Sequence, residues 1–158
     1  MNSGKYLTRL FWDGLESCSP DNAVANALAW DGKVLSIYKD EYEVVDAPIY
    51  LFATGKASIP MYESAAQILD GAIRKSLVVT SDADNARRCS ADEVLVGAHP
   101  TPDSNSVEAR NRARQFFQDL PSNALLITLI SGGTSSLLCL PPDGISTSDI
   151  NKTFDLLN

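Results

Sequence analysis

The chain has little of what small catalytic or metal centres are commonly built from. It carries one histidine, His99, and three cysteines, Cys18, Cys89 and Cys139, odd in number and far apart. No C-x-x-C pair and no Cys/His cluster occurs, so the spacing supports neither a disulfide framework nor a zinc site. Each cysteine reads as a small apolar residue in a reducing cytoplasm. Long hydrophobic runs are missing as well. The most apolar stretch, Ala124 to Ile130, falls far short of the ~20 residues a membrane-spanning helix needs. The opening, MNSGKYLTRLFWDGLESCS, has acids early and lacks the apolar centre of a secretion signal. Basic excess is absent too: 13 Lys and Arg stand against 20 Asp and Glu, a formal net charge of -7. That balance argues against a nucleic-acid backbone or an anionic membrane as the main partner. It does not bar a phosphate ligand, because backbone N–H groups and one or two lysines create a local positive site.

What is present suits one globular domain. The 158 residues are 44% apolar and 21% charged, and a chain of that size buries ~70% of its unfolded surface without staples. Four compact apolar runs, IYLFATG after Pro48, SLVVTSD, DEVLVGAHP and ALLITLIS, read as strands by length and bounds. Helical patterns lie between them. In KASIPMYESAAQILDG the helix starts near Ala57 to Ile59, because Pro60 is tolerable only in a first turn, and Gly71 stops it. SNSVEARNRARQFFQDLP carries Ala109, Ala113, Phe116, Phe117 and Leu120 on one stripe. Asn105 and Glu108 have the spacing of a capping box there, and Pro121 ends the helix.

Earlier in the chain, Leu7, Leu10, Phe11 and Leu15 fall near helical spacing. Val24, Ala25 and Leu28 predict a second helix, begun by Pro20 or capped by Asp21. Val34 to Tyr38 predicts a short strand after an Asp31-Gly32 turn. Near the end, Ser146 and Asp149 cap a helix bearing Ile150, Phe154 and Leu157. Solid apolar strands alternating with helices predict an α/β three-layer sandwich with a mostly parallel, Rossmann-like sheet. Ligands of such sheets gather at the carboxyl ends of the strands.

Those ends carry the chemistry. The first strand ends in Gly55-Lys56, where a glycine lets backbone approach a ligand and a lysine adds charge at a helix N-terminus. It is no Walker A loop, since Tyr50 and Ala57 stand where that motif needs Gly and Ser/Thr. Spacing alone also fits an ordinary turn with a solvated lysine. The second strand ends in Asp82 and Asp84, a pair for a metal or a hydroxyl, or a solvated Asx turn. The third ends in His99-Pro100-Thr101-Pro102-Asp103. Its prolines stiffen the loop, and His99 reads either as a base partnered by Asp103 or as a structural residue. The fourth ends in Ser131-Gly132-Gly133-Thr134-Ser135-Ser136, where successive N–H groups and hydroxyls suit phosphate oxygens. The alternative is a Gly-rich connection with helix-capping serines. Neither a nucleophile elbow around Ser131 nor a Gly-x-Gly-x-x-Gly fingerprint is present.

In combination, IYLFATGKASIPM, GAHPTPDSNSVEARNRA and LLITLISGGTSSLLCLPPDGISTSDINKTFDLL resemble the N-terminal part of the glycerate 2-kinase family, whose members carry a MOFRL domain at the C-terminus. SPDNAVANAL is similar to the family's Asp-Pro-x-x-Ala-Val opening, with Pro and Asp exchanged. The resemblance implies ATP-dependent phosphorylation of the 2-hydroxyl of D-glycerate to 2-phosphoglycerate, with Mg2+, in a two-domain enzyme. Residues 1–158 are then expected to be the N-terminal α/β domain, without the second one. Lys56 matches the family's phosphate-binding lysine, and His99, Pro100 and Asp103 match its His-Pro-x-Pro-Asp loop. Gly55 with Ser131, Gly132, Gly133, Thr134 and Ser135 is expected on the nucleotide side. Thr134 stands where the family has a third glycine, and its Cβ restricts positive φ.

Asp82 and Asp103 are the candidate metal carboxylates by their place at strand ends. Two other readings stand beside the kinase. One is a truncated, non-catalytic nucleotide- or anion-binding module. The other is a reductase acting on hydroxypyruvate, a label carried within the family, against which the missing dinucleotide fingerprint speaks. Expected partners are a small-molecule substrate and a nucleotide, in the cytoplasm, with no nucleic acid and no membrane; homo-oligomerisation is left open.

Overall fold

The computed structural model describes residues 3–142 and 144–157. The Phe154 and Leu157 side chains, expected on the last helix's apolar stripe, lie outside the described residues. Two helices, α1 (Ser3–Ser17) and α2 (Pro20–Ala27), lead into strands β1 (Leu28–Trp30), β2 (Val34–Ile37) and β3 (Asp40–Glu43). Then come β4 (Ile49–Thr54), α3 (Ser58–Leu69), β5 (Ile73–Thr80), α4 (Ala83–Ala86) and β6 (Glu93–Val96). The rest is α5 (Ser104–Gln118), β7 (Leu125–Ile130), α6 (Thr134–Leu137) and α7 (Thr147–Leu157).

The main sheet has the order β6-β5-β4-β7, and every pairing in it is parallel. Side chains of β4 alternate between its two faces, as a pleated strand requires. Ile49, Leu51 and Ala53 pack with Tyr62, Ala65 and Leu69 of α3 and Val24 of α2. Phe52 packs on the other face with Ala109, Ala113 and Phe116 of α5. Leu51, Leu77 and Val78 have no exposed surface, and each such side chain contributes about 1.5–3 kcal/mol by leaving water. Helices on both faces explain why the strands read as unbroken apolar runs. The α/β sandwich expected from the sequence is the fold observed.

Two local expectations are corrected. Leu28 does not continue α2. The helix ends at Ala27, and Leu28 turns extended (φ −116°, ψ 133°), because it pairs antiparallel with Ile37 in a small β1-β2-β3 meander. The strand β3, DEYE, is exposed throughout and carries no apolar face to betray it. The cap of α5 is Asp103, not Asn105. Asp103 Oδ1 accepts the Ser106 N–H at 3.1 Å and Ser106 Oγ accepts the Asp103 N–H at 3.4 Å, a reciprocal capping box two residues earlier than the spacing suggested. Asn105 instead sits inside the first turn. The cap of α7 forms as read: Ser146 Oγ donates to Asp149 Oδ2 at 2.6 Å and accepts the Asp149 N–H at 3.2 Å. The apolar stripe of α1 forms on a helix, yet Leu7, Leu10, Phe11 and Leu15 remain exposed.

Candidate functional site

From β4 the chain winds outward through β5 to β6, then crosses back to place β7 on the opposite side of β4. The order therefore reverses between β4 and β7, which makes their carboxyl ends the topological switch point where ligands of such sheets gather. The two loops at that reversal are Gly55-Lys56 and Ser131–Ser135, separated by about 75 residues in sequence and adjacent in space.

They are knitted together. The Lys56 N–H donates to Gly132 O at 2.9 Å, the Ala57 N–H donates to Ser131 Oγ at 3.1 Å, and Ser131 Oγ donates to Thr54 O at 3.3 Å. Gly55 has φ +114°, and a Cβ there would overlap the Ser131 side chain and carbonyl. Only glycine allows this approach. The Ser131 hydroxyl, expected to face a ligand, is thus committed to joining the two loops. The start of α3, expected to offer free donors beside Lys56, is also engaged: Ala57 bonds Ser131, and the Ser58 N–H donates to Gly55 O at 3.2 Å.

The free donors are on the other loop. The N–H groups of Gly132, Gly133, Thr134 and Ser135 have no acceptor among the described residues, whereas Ser131 and Ser136 on either side are bonded to Thr54 O and Gly133 O. Successive unpaired N–H groups at a glycine turn form a concavity suited to an anion. Gly133 makes the turn, at φ +97°. Thr134 takes no positive φ, so the third glycine of the family pattern is not needed for this shape. The Thr134 hydroxyl donates to Ser131 O at 2.9 Å and holds the loop closed.

Two side chains converge on Gly133. A Cβ built there would lie 2.9 Å from His99 Cδ2, 3.3 Å from His99 Nε2 and 3.2 Å from Lys56 Cγ. His99 comes from β6, two strands away from β4, and its loop is held by three hydrogen bonds that the sequence did not disclose. Ser106 Oγ accepts the Ala98 N–H at 3.1 Å, Ser136 Oγ donates to Pro100 O at 2.7 Å, and Asn151 Nδ2 donates to Pro102 O at 3.0 Å. His99 and Asp103 are not hydrogen-bonded; the Asp103 carboxylate caps α5 and also accepts from Asn105 Nδ2 at 3.3 Å.

On the far side of Lys56 lies an open pocket of about 450 Å³, with Ile59 and Pro60 as its apolar wall and Asp82, Asn85, Glu63 and Arg88 as polar lining. Asp82 caps α4, accepting the Asn85 N–H at 3.0 Å and Asn85 Nδ2 at 2.7 Å. Those bonds, the side-chain one first, hold its carboxyl below the usual carboxylate range. Both aspartates cap helices, but Asp82 lines this pocket and Asp103 does not. Among the described residues no group of three or more His, Cys, Asp or Glu gathers as a metal cage. Mg2+ bound with a nucleotide needs only one or two carboxylates besides phosphate and water; the carboxylates that line the pocket are Asp82 and Glu63. Lys56 touches both the glycine loop and this pocket.

Fold and site together define an α/β domain with a glycine loop of unpaired N–H groups at its topological switch point. The model of the Domain of unknown function DUF4147 matches residues 6–158. The chain belongs to this family, the N-terminal domain family of glycerate 2-kinases. A glycerate 2-kinase from Pyrococcus horikoshii is 30% identical over 149 residues, covering 94% of this chain and 33% of that protein. A protein from Agrobacterium vitis named putative hydroxypyruvate reductase is 35% identical over 105 residues, covering 65% and 27%. A crystal structure of a Pyrococcus horikoshii protein superposes with a TM-score of 0.84 at 29% identity, covering 99% of this chain and 35% of that one. The chain thus spans about a third of the length of the relatives it matches. Among the described residues no helix is long and apolar enough to cross a membrane.

Proposed function

We propose that the chain supplies the N-terminal domain of an ATP-dependent glycerate 2-kinase, acting in the cytoplasm, which transfers the γ-phosphoryl group of ATP to the 2-hydroxyl of D-glycerate. The observation that carries this reading is the row of unpaired N–H groups at Gly132–Ser135 beside Lys56 and His99. Phosphoryl transfer needs positioning and charge stabilisation rather than a covalent protein intermediate, and these residues offer both. The loop N–H groups hold phosphate oxygens. Lys56, reaching from the loop to the pocket, offsets charge on the moving group as the bond to the leaving ADP oxygen breaks. His99 stands ready to take the proton of the attacking hydroxyl. The pocket beyond Lys56 takes the acceptor. Mg2+, when bound, would neutralise charge on the phosphates, and Asp82 would help hold it. No feature of the site favours the reductase reading.

The test is a coupled assay of ADP release with ATP and D-glycerate, alongside nucleotide titration. Turnover supports the kinase, and Lys56→Ala is expected to lower it ~100-fold. Nucleotide binding without turnover identifies a binding module. Unchanged turnover in Lys56→Ala refutes the role given to Lys56.

A further inference from the structure

The pocket beside Lys56 contains a second cation to which the reading above gives no role. Arg88 is exposed, lines the pocket with Lys56, and its guanidinium makes no ion pair or hydrogen bond among the described residues. Its backbone, in contrast, is held on both sides. Before it, the Asp82 carboxylate grips Asn85 through two bonds, and the Arg88 N–H donates to Asn85 O at 2.9 Å. After it, Glu63 Oε1 accepts the Ser90 N–H at 2.6 Å and Glu63 Oε2 accepts from Ser90 Oγ at 2.7 Å. Both carboxylates of the pocket are thus hydrogen-bonded into the segment that presents Arg88. The side chains of the pocket left without partners among the described residues include two cationic donors, Arg88 and Lys56.

We propose that Arg88 binds the carboxylate of the acceptor and so restricts the pocket to small hydroxy acids. This rests on reading the pocket as the acceptor site. A guanidinium matches a carboxylate with two parallel hydrogen bonds, which a lysine does not. Holding the acid group at Arg88 leaves the carbon chain along Ile59 and Pro60 and turns the hydroxyl toward Lys56 and the glycine loop. A neutral polyol of the same size has nothing for Arg88 to grip.

The test is calorimetric titration of the chain and of Arg88→Ala and Arg88→Lys with D-glycerate and, separately, with ATP. The assignment predicts D-glycerate affinity lowered about tenfold or more in Arg88→Ala, an intermediate loss in Arg88→Lys, and ATP affinity unchanged in both. D-glycerate binding as tightly to Arg88→Ala as to the unaltered chain overturns it, as does an unaltered chain that binds no D-glycerate. An equal loss of ATP affinity overturns it too, because that marks a general disturbance. Should ATP fail to bind while D-glycerate binding still depends on Arg88, the nucleotide reading falls and the Arg88 assignment stands.

Discussion

Two adjacent glycines offer a sharp test of the loop at the end of β7. Gly133 is left-handed at φ +97°, and an added Cβ would come within 2.9 Å of His99 Cδ2 and 3.2 Å of Lys56 Cγ. Gly132 has no positive φ, and an added Cβ meets nothing within 4 Å. Alanine at 133 costs about 1–2 kcal/mol for the left-handed backbone. Displacing His99 adds about 1 kcal/mol, because its loop is pinned by Ser136 and Asn151 and cannot simply swing away. The sum, about 2–3 kcal/mol, lowers the melting temperature of a domain this size by ~5–10 °C. Gly132→Ala is expected within about 0.5 kcal/mol of the unaltered chain. Thermal unfolding followed by circular dichroism measures both variants. ATP titration of the same samples should show a loss of about tenfold for Gly133→Ala, since a distorted turn no longer aims its N–H groups together. If the two alanine variants melt and bind alike, the turn at Gly133 does not organise the site.

Other consequences follow from the same contacts. Thr54 is 1% exposed and its hydroxyl has no partner among the described residues, so Thr54→Val should be neutral or stabilising by about 1 kcal/mol in urea unfolding. Asp103→Ala should destabilise by about 1 kcal/mol through loss of the α5 cap, while Asp103→Asn recovers much of it; urea midpoints of both variants decide. Cys18 is exposed and should react first with a thiol reagent at neutral pH. Cys89, its thiol pushed up to about 11 by burial, should react slowly, a contrast that labelling with mass spectrometry reads directly. Hydrogen bonds from Ser146 lower the Asp149 carboxyl below its ordinary range. The stability this adds is complete above the ordinary carboxylate pKa and is lost as pH falls through the lower folded value. Asp149→Asn should therefore flatten the acid limb of a stability–pH curve.

The parallel strands were readable because helices cover both faces of the sheet, which forces unbroken apolar runs such as Leu125–Ile130. Their order was not readable. Nothing local in the sequence says that β7 returns beside β4, and that return is what brings Gly55 against Ser131. The glycine loop was legible as a flexible, polar turn at a strand end, yet the division of labour within it was not. Ser131 looks like a ligand group in sequence and proves to be a clasp, because its partner, the Ala57 N–H, is 74 residues away. Asp103 looked like a partner for His99, but a carboxylate directly after Pro102 and before a helical stripe is claimed by the helix as its cap. Arg88 gave no signal. Its position depends on Glu63 reaching Ser90 across 27 residues, and no periodicity records that tie.

The central claim is that the N–H groups of Gly132, Gly133, Thr134 and Ser135 receive the phosphates of a nucleotide. Two-dimensional amide NMR of the labelled chain, titrated with ATP, tests it most directly. The largest shift changes are expected on those four amides and on the His99 ring. Shifts confined to other loops, or none at saturating ATP, would contradict it.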